Sequence, residues 1–133
     1  YSCITHLNVM YEQKFNNIPF VGAGTEIGPS IGDKGKIFYF NGFWWDVEPG
    51  ELVKITVKPR EAFKSLKASG RPSRYYDPEN RPIKIIINSV RLAYWCLDPI
   101  SSVEFIPVYF FEGKAVLTKD GKVTDYFTHV VQL

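Results

Sequence analysis

Ile37-Phe38-Tyr39-Phe40-Asn41-Gly42-Phe43-Trp44-Trp45 sets seven apolar or aromatic side chains around one Asn-Gly pair. Aromatic and β-branched residues suit a pleated, half-buried surface, and Asn-Gly tolerates positive φ at both central positions of a type I′ turn. The stretch therefore predicts two strands closed by a two-residue hairpin, and a β-dominated chain around it. Composition points the same way, with 16% aromatic residues made up of ten Phe, eight Tyr and three Trp. At 133 residues, 45% hydrophobic and 23% charged, the chain has room for one compact core and lacks the polar bias of a disordered segment. A net charge of +2 and a pI near 8.5 are too mild to name nucleic acid as the partner. No run approaches the ~18 apolar residues of a membrane span.

Working outward, Lys119-Asp120-Gly121-Lys122 separates Ala115-Val116-Leu117 from Val123–Val131 and predicts a second hairpin. Ile83–Leu97 reads as one long strand, with Ile86, Val90, Leu92 and Tyr94 on one face, interrupted by Asn88, and Ser89 and Arg91 on the other. Phe105–Phe111 is apolar on both faces, as in a central covered strand or one at an interface. One helix is expected from about Pro59 to Ser69. Proline suits its first position, Glu61 its first turn, and Gly70 its left-handed stop. Ala62, Phe63 and Leu66 make its apolar stripe, while Arg60, Lys64 and Lys67 face away. Pro72, Pro78 and Pro82 then mark an irregular crossing loop. The fold class is α+β, with antiparallel sheets and one packed helix.

Three ordered echoes suggest an internal duplication. Val9-Met10-Tyr11 returns as Leu92-Ala93-Tyr94, Ile18-Pro19-Phe20 as Ile106-Pro107-Val108, and Gly35-Lys36-Ile37 as Gly121-Lys122-Val123, at offsets of 83, 88 and 86. This divides the chain into a sheet module at 1–57 and a helix-plus-sheet module at 58–133. The first copy begins near Tyr1 with no room for a helix like that at Pro59, so it is expected to be incomplete, with a leader, an anchor and a first helix upstream.

Chemistry-bearing constellations are scarce. His6 and His129 are the two imidazoles, and a lone strand histidine is more often packed or solvated than catalytic. Cys3 and Cys96 are too few for a disulfide scaffold, and both a bond between them and two buried thiols fit the sequence. No Cys or His pair has the close spacing of structural zinc sites. Asp33 and Asp120 are explained by their turns, and Glu48 and Glu51 by the Pro49-Gly50 turn. Gly22–Gly28 has one residue too many for the dinucleotide fingerprint, and Gly32-Asp33-Lys34-Gly35-Lys36 lacks the Ser or Thr of a phosphate loop. No catalytic residue, metal or cofactor is expected, and a small-molecule substrate is disfavoured.

Charge is uneven, since Lys58–Lys84 holds eight basic against three acidic residues. With Tyr75 and Tyr76 beside Arg74, a single-stranded nucleic-acid platform is conceivable, but a solvated helix face or an acidic protein or envelope polymer as partner explains the same patch better. Trp44 and Trp45 have a sugar-stacking reading beside that of core plus interface.

Tyr11-Glu12-Gln13-Lys14-Phe15-Asn16-Asn17-Ile18-Pro19-Phe20-Val21-Gly22, followed by Gly35-Lys36-Ile37, resembles the Tyr-x-Gln-x-aromatic-x-x-Ile-Pro-hydrophobic-x-Gly strand of PepSY-like and protease-propeptide domains. Lys58–Phe63, Val90–Trp95 and Phe105–Phe110 resemble the helix start and two strands of a second copy, in which Gln13 has no counterpart. Tandem modules of this kind are also similar to extracytoplasmic regulators of the YycI and YycH type. The resemblance implies a non-catalytic regulatory domain of a two-component system or a protease, outside the cytoplasmic membrane and anchored to it through an upstream helix. Its partner would be a membrane sensor kinase or a protease. Phe105, Pro107, Tyr109 and Phe111 on the double-sided strand, with Trp44 and Trp45, are the candidate contact residues, by face contact or strand addition. A cell-envelope carbohydrate-binding module is the alternative.

Overall fold

The computed structural model describes residues 6–22, 24–69, 83–98 and 102–133. Gly70, the proline-rich crossing loop, the Tyr75-Tyr76 pair and Cys3 lie outside the described residues. Among the described residues, mixed sheets and a single α-helix make the chain α+β. Its strands are β1 (Leu7–Asn8), β2 (Tyr11–Glu12), β3 (Lys14–Phe15), β4 (Ile18–Val21), β5 (Glu26–Ile31), β6 (Ile37–Gly42), β7 (Ile83–Asp98), β8 (Ser102–Leu117) and β9 (Val123–Gln132), with helix α1 at Pro59–Ala68. Two compact units form. One comprises 1–52 with 94–106, the other 53–93 with 107–133, so β7 and β8 each contribute to both.

In the first unit, β5 runs between β6 on one edge and β1 and β2 on the other. Leu7 opposes Ile31, Asn8 Ser30, Tyr11 Ile27 and Glu12 Glu26, which is one unbroken antiparallel register. Val9 therefore faces Pro29. Its N–H donates to the Pro29 carbonyl at 3.1 Å, and the return bond is missing because proline has no N–H. β1 and β2 are in effect one strand interrupted by that missing donor. Elsewhere in this unit β3 pairs antiparallel with β4, and β4 pairs parallel with the last part of β7, placing Phe20 beside Tyr94 and Val21 beside Trp95.

The expected hairpin at Asn41-Gly42 does not form. β6 continues through both residues, which pair with Gly28 and Ile27, and Phe43–Trp45 is not a strand. The turn into β6 lies instead at Asp33–Gly35, a short 3-10 turn in which Lys34 and Gly35 have positive φ. Gly42 serves a different need. At φ 145° it lies against the Glu26 carbonyl oxygen and the Ile27 Cα, where a Cβ would collide.

The second unit packs α1 against β7, β8 and β9. Pro59 occupies the first turn, and the Lys58 N–H donates to the Glu61 carboxylate at 3.1 Å, half of a capping box. Ala62 and Leu66 are buried with Ile83, Phe111, Ala115, Leu117 and Phe127 in one core. Phe63 sits at its rim, 39% exposed, with its ring tilted against Phe111. Arg60, Lys64 and Lys67 are exposed, as their helical spacing predicts. The face of β7 turned to this core carries Ile83, Ile85 and Ile87, whereas Asn88 and Val90 are exposed. Both faces of this strand are apolar over Ile85–Ile87, so periodicity alone does not say which of them meets the core.

The hairpin at Lys119–Lys122 forms as expected. Val108–Val116 of β8 pairs antiparallel with Val123–Gln132 of β9, with a bulge at Ala115/Val116. Gly121 has φ 70°, its N–H donates to the Leu117 carbonyl, and the Lys122 N–H donates to the Asp120 carboxylate. Gly35 and Gly121, one of the three sequence echoes, thus both close a turn into an antiparallel strand.

Candidate functional site

The segment after β6 is held by one side chain. Gln13, buried between β2 and β3, donates from Nε2 to the Trp45 carbonyl at 2.6 Å and accepts from the Trp45 N–H at 3.2 Å. A primary amide can make both contacts because it carries donor and acceptor in the geometry of a peptide group. Trp45 is fixed further by its indole N–H, which donates to the Gly24 carbonyl at 2.7 Å. Phe43 stacks on the Trp45 ring at 5.9 Å and 14°, and Phe105 meets that ring edge-on at 6.4 Å. Phe20 joins the group through Phe105, at 4.5 Å.

Trp44 has no such ring contact among the described residues and is 62% exposed. With Trp45 tethered, Trp44 projects from a backbone that cannot easily retreat. It adjoins an unusual strand, because Ile37, Phe38, Tyr39 and Phe40 are all exposed on β6, and Phe43 beyond it is exposed too. Large apolar side chains exposed in such number are the usual mark of an interaction site.

The remaining candidate residues are dispersed. Phe105 belongs to the Trp45 cluster, Pro107 is half-buried, and Tyr109 donates its hydroxyl to the Val57 carbonyl at 3.2 Å. Phe111 is 1% exposed in the core of the second unit. There β8 lies between β7 and β9, and its edge toward β9 is occupied over Val108–Val116. The structure brings Trp44, Trp45 and Phe105 into one unit and places Tyr109 and Phe111 in the other.

One polar cluster escaped the sequence reading. Glu112 on β8 accepts from the Ser89 hydroxyl at 2.9 Å and pairs with Arg91 Nε at 3.5 Å, while the Arg91 guanidinium lies 5.3 Å from the Phe110 ring centre. These residues are 19 to 23 positions apart and meet only because β7 and β8 are neighbours. His6 packs edge-on against Phe38, and His129 stacks on Phe127. Cys96 is buried. Among the described residues no group of three or more His, Cys, Asp and Glu could hold a metal ion, and no helix is long and apolar enough to cross a membrane. No family model, curated protein or solved structure matches the chain.

Proposed function

We propose that this chain is a non-catalytic regulatory domain that works outside the cytoplasm by binding another protein, a membrane sensor kinase or a protease. In this reading it is built from two related PepSY-like modules and tethered through sequence upstream. The supporting observation is the run of exposed aromatic residues from Phe38 to Trp44, with Trp44 next to a Trp45 backbone held by Gln13. Large rings pinned at the surface bury much area for little conformational entropy, which is why Trp and Tyr dominate binding hot spots.

Trp44 also supports a second reading, an envelope carbohydrate-binding module, since an exposed indole face stacks on sugar rings as readily as on a protein. A pull-down from the envelope fraction of the source organism, comparing the intact protein with Trp44→Ala, separates the two. Recovery of a kinase or protease that is lost in the variant supports regulation, and recovery of glycan alone replaces it with the carbohydrate reading.

A further inference from the structure

We infer that one face of the sheet formed by β1, β2, β5 and β6 is a homodimer interface, on which two copies of this chain stack face to face about a two-fold axis close to Pro29. Register defines the face. Direct partners in an antiparallel ladder carry their side chains on the same side, and every second residue of a strand returns to that side. The pairings therefore set Leu7, Ile31 and Ile37 in one row, Val9, Pro29 and Phe40 in the next, and Tyr11, Ile27 and Gly42 in the third, with Pro29 at the centre. The opposite face carries Asn8 bonded to Ser30, the Met10 sulfur beside Gly28, and Tyr39 paired with Ser30.

Composition points to a second copy as the occupant. The face has no charged side chain and a single hydroxyl, that of Tyr11, yet Leu7, Tyr11, Ile37 and Phe40 are each 57–63% exposed. Transient interfaces between unlike proteins are about as apolar as the rest of the surface, whereas homodimer interfaces are more so. With almost nothing to hydrogen-bond and no charge to match, the face gives an unrelated partner little to be selected by. A second copy needs only shape.

Area and shape fit that occupant. Together with the half-buried Val9, Ile27 and Ile31, the four exposed side chains present roughly 500–600 Å² per copy, so two copies bury about 1,000–1,200 Å². This reaches the ~1,000 Å² that a specific interface must clear and is the size of a reversible one. Gly42 is the one corner of the face without a side chain. A two-fold axis lying across the strands sets it opposite Ile37 of the other copy, and one lying along them sets it opposite Tyr11, so a large side chain meets the gap in both cases.

The inference goes beyond the regulatory reading and does not depend on it, because its test uses the purified protein alone. Sedimentation equilibrium of the full chain over about 1–200 µM should show two-chain particles in exchange with monomer. Phe40→Glu puts a charge on the apolar face and should weaken the dimer at least tenfold. Tyr39→Glu, one residue away on the opposite face, should leave it unchanged, and far-UV circular dichroism should match the wild type for both. One measurement needs no variant. In a mixture of isotope-labelled and unlabelled wild-type protein, the Leu7 and Ile37 methyl groups should show nuclear Overhauser contacts to the other copy. A wild-type monomer throughout the range, oligomers growing without limit, a dimer that Phe40→Glu leaves intact or Tyr39→Glu weakens as much, or a dimer without those methyl contacts would each overturn the inference.

Discussion

The Gln13 side-chain amide grips the Trp45 peptide at both ends, at 2.6 Å and 3.2 Å, across 32 residues of sequence. It does for the segment after β6 what a neighbouring strand would have done, satisfying its N–H and C=O where no ladder exists. Gln13→Leu keeps the bulk and removes both bonds. It should lower the unfolding free energy by about 2–3 kcal/mol, read from urea denaturation, and shift tryptophan emission to the red as Trp45 loosens. Unchanged emission and stability would mean that the clamp is incidental.

Trp44 and Trp45 should behave oppositely although they are adjacent. Trp45→Ala forfeits the bond to Gly24 and the stacking with Phe43 and should cost about 2–3 kcal/mol. Trp44→Ala should leave stability within about 0.5 kcal/mol and remove partner retention instead. Thermal unfolding run beside the envelope pull-down reads both effects, and a large loss of stability in Trp44→Ala would show that its exposed ring is part of the fold.

Gly113 sits where β8 passes closest to β7, and a Cβ there would run into the Ile86 carbonyl oxygen. Gly113→Ala should destabilise by about 3 kcal/mol, since a backbone atom cannot swing aside as a side chain can. Gly50→Ala is the matched control. Nothing lies within 4 Å of its added methyl, and its backbone is not left-handed, so the change should be neutral or stabilise by up to about 1 kcal/mol. Equal denaturation midpoints for the two variants would refute the close approach.

Leu66 carries the attachment of α1 to the second unit, in contact with a core that includes Phe111 and Phe127. Leu66→Ala should cost about 2–5 kcal/mol. Phe63→Ala should cost less, because its ring lies at the rim and is already in part solvated. Chevron kinetics or equilibrium melts of the pair rank the two sites directly, and the reverse order would place the helix differently on the sheet.

The elements legible in the sequence are those whose signals are local. The α1 boundaries follow from Pro59 and the spacing of Ala62 and Leu66, and the β8–β9 hairpin from Asp120-Gly121, because capping, helical period and turn geometry are settled within a few residues. Asn41-Gly42 carried an equally local hairpin signal and was overruled. There the pairing of β6 with β5 and the crowding of Gly42 against Glu26 put the same glycine to another use. Which face of β7 meets the core was likewise beyond an apolar pattern that is nearly the same on both sides. The Gln13–Trp45 clamp and the Ser89–Arg91–Glu112 cluster depend on which strands become neighbours, a choice made by long-range packing. Composition and spacing thus determined by themselves an aromatic-rich α+β chain with one amphipathic helix. Only the tertiary structure decided which aromatics are core and which are surface, because burial is a property of what covers a side chain and not of the side chain itself.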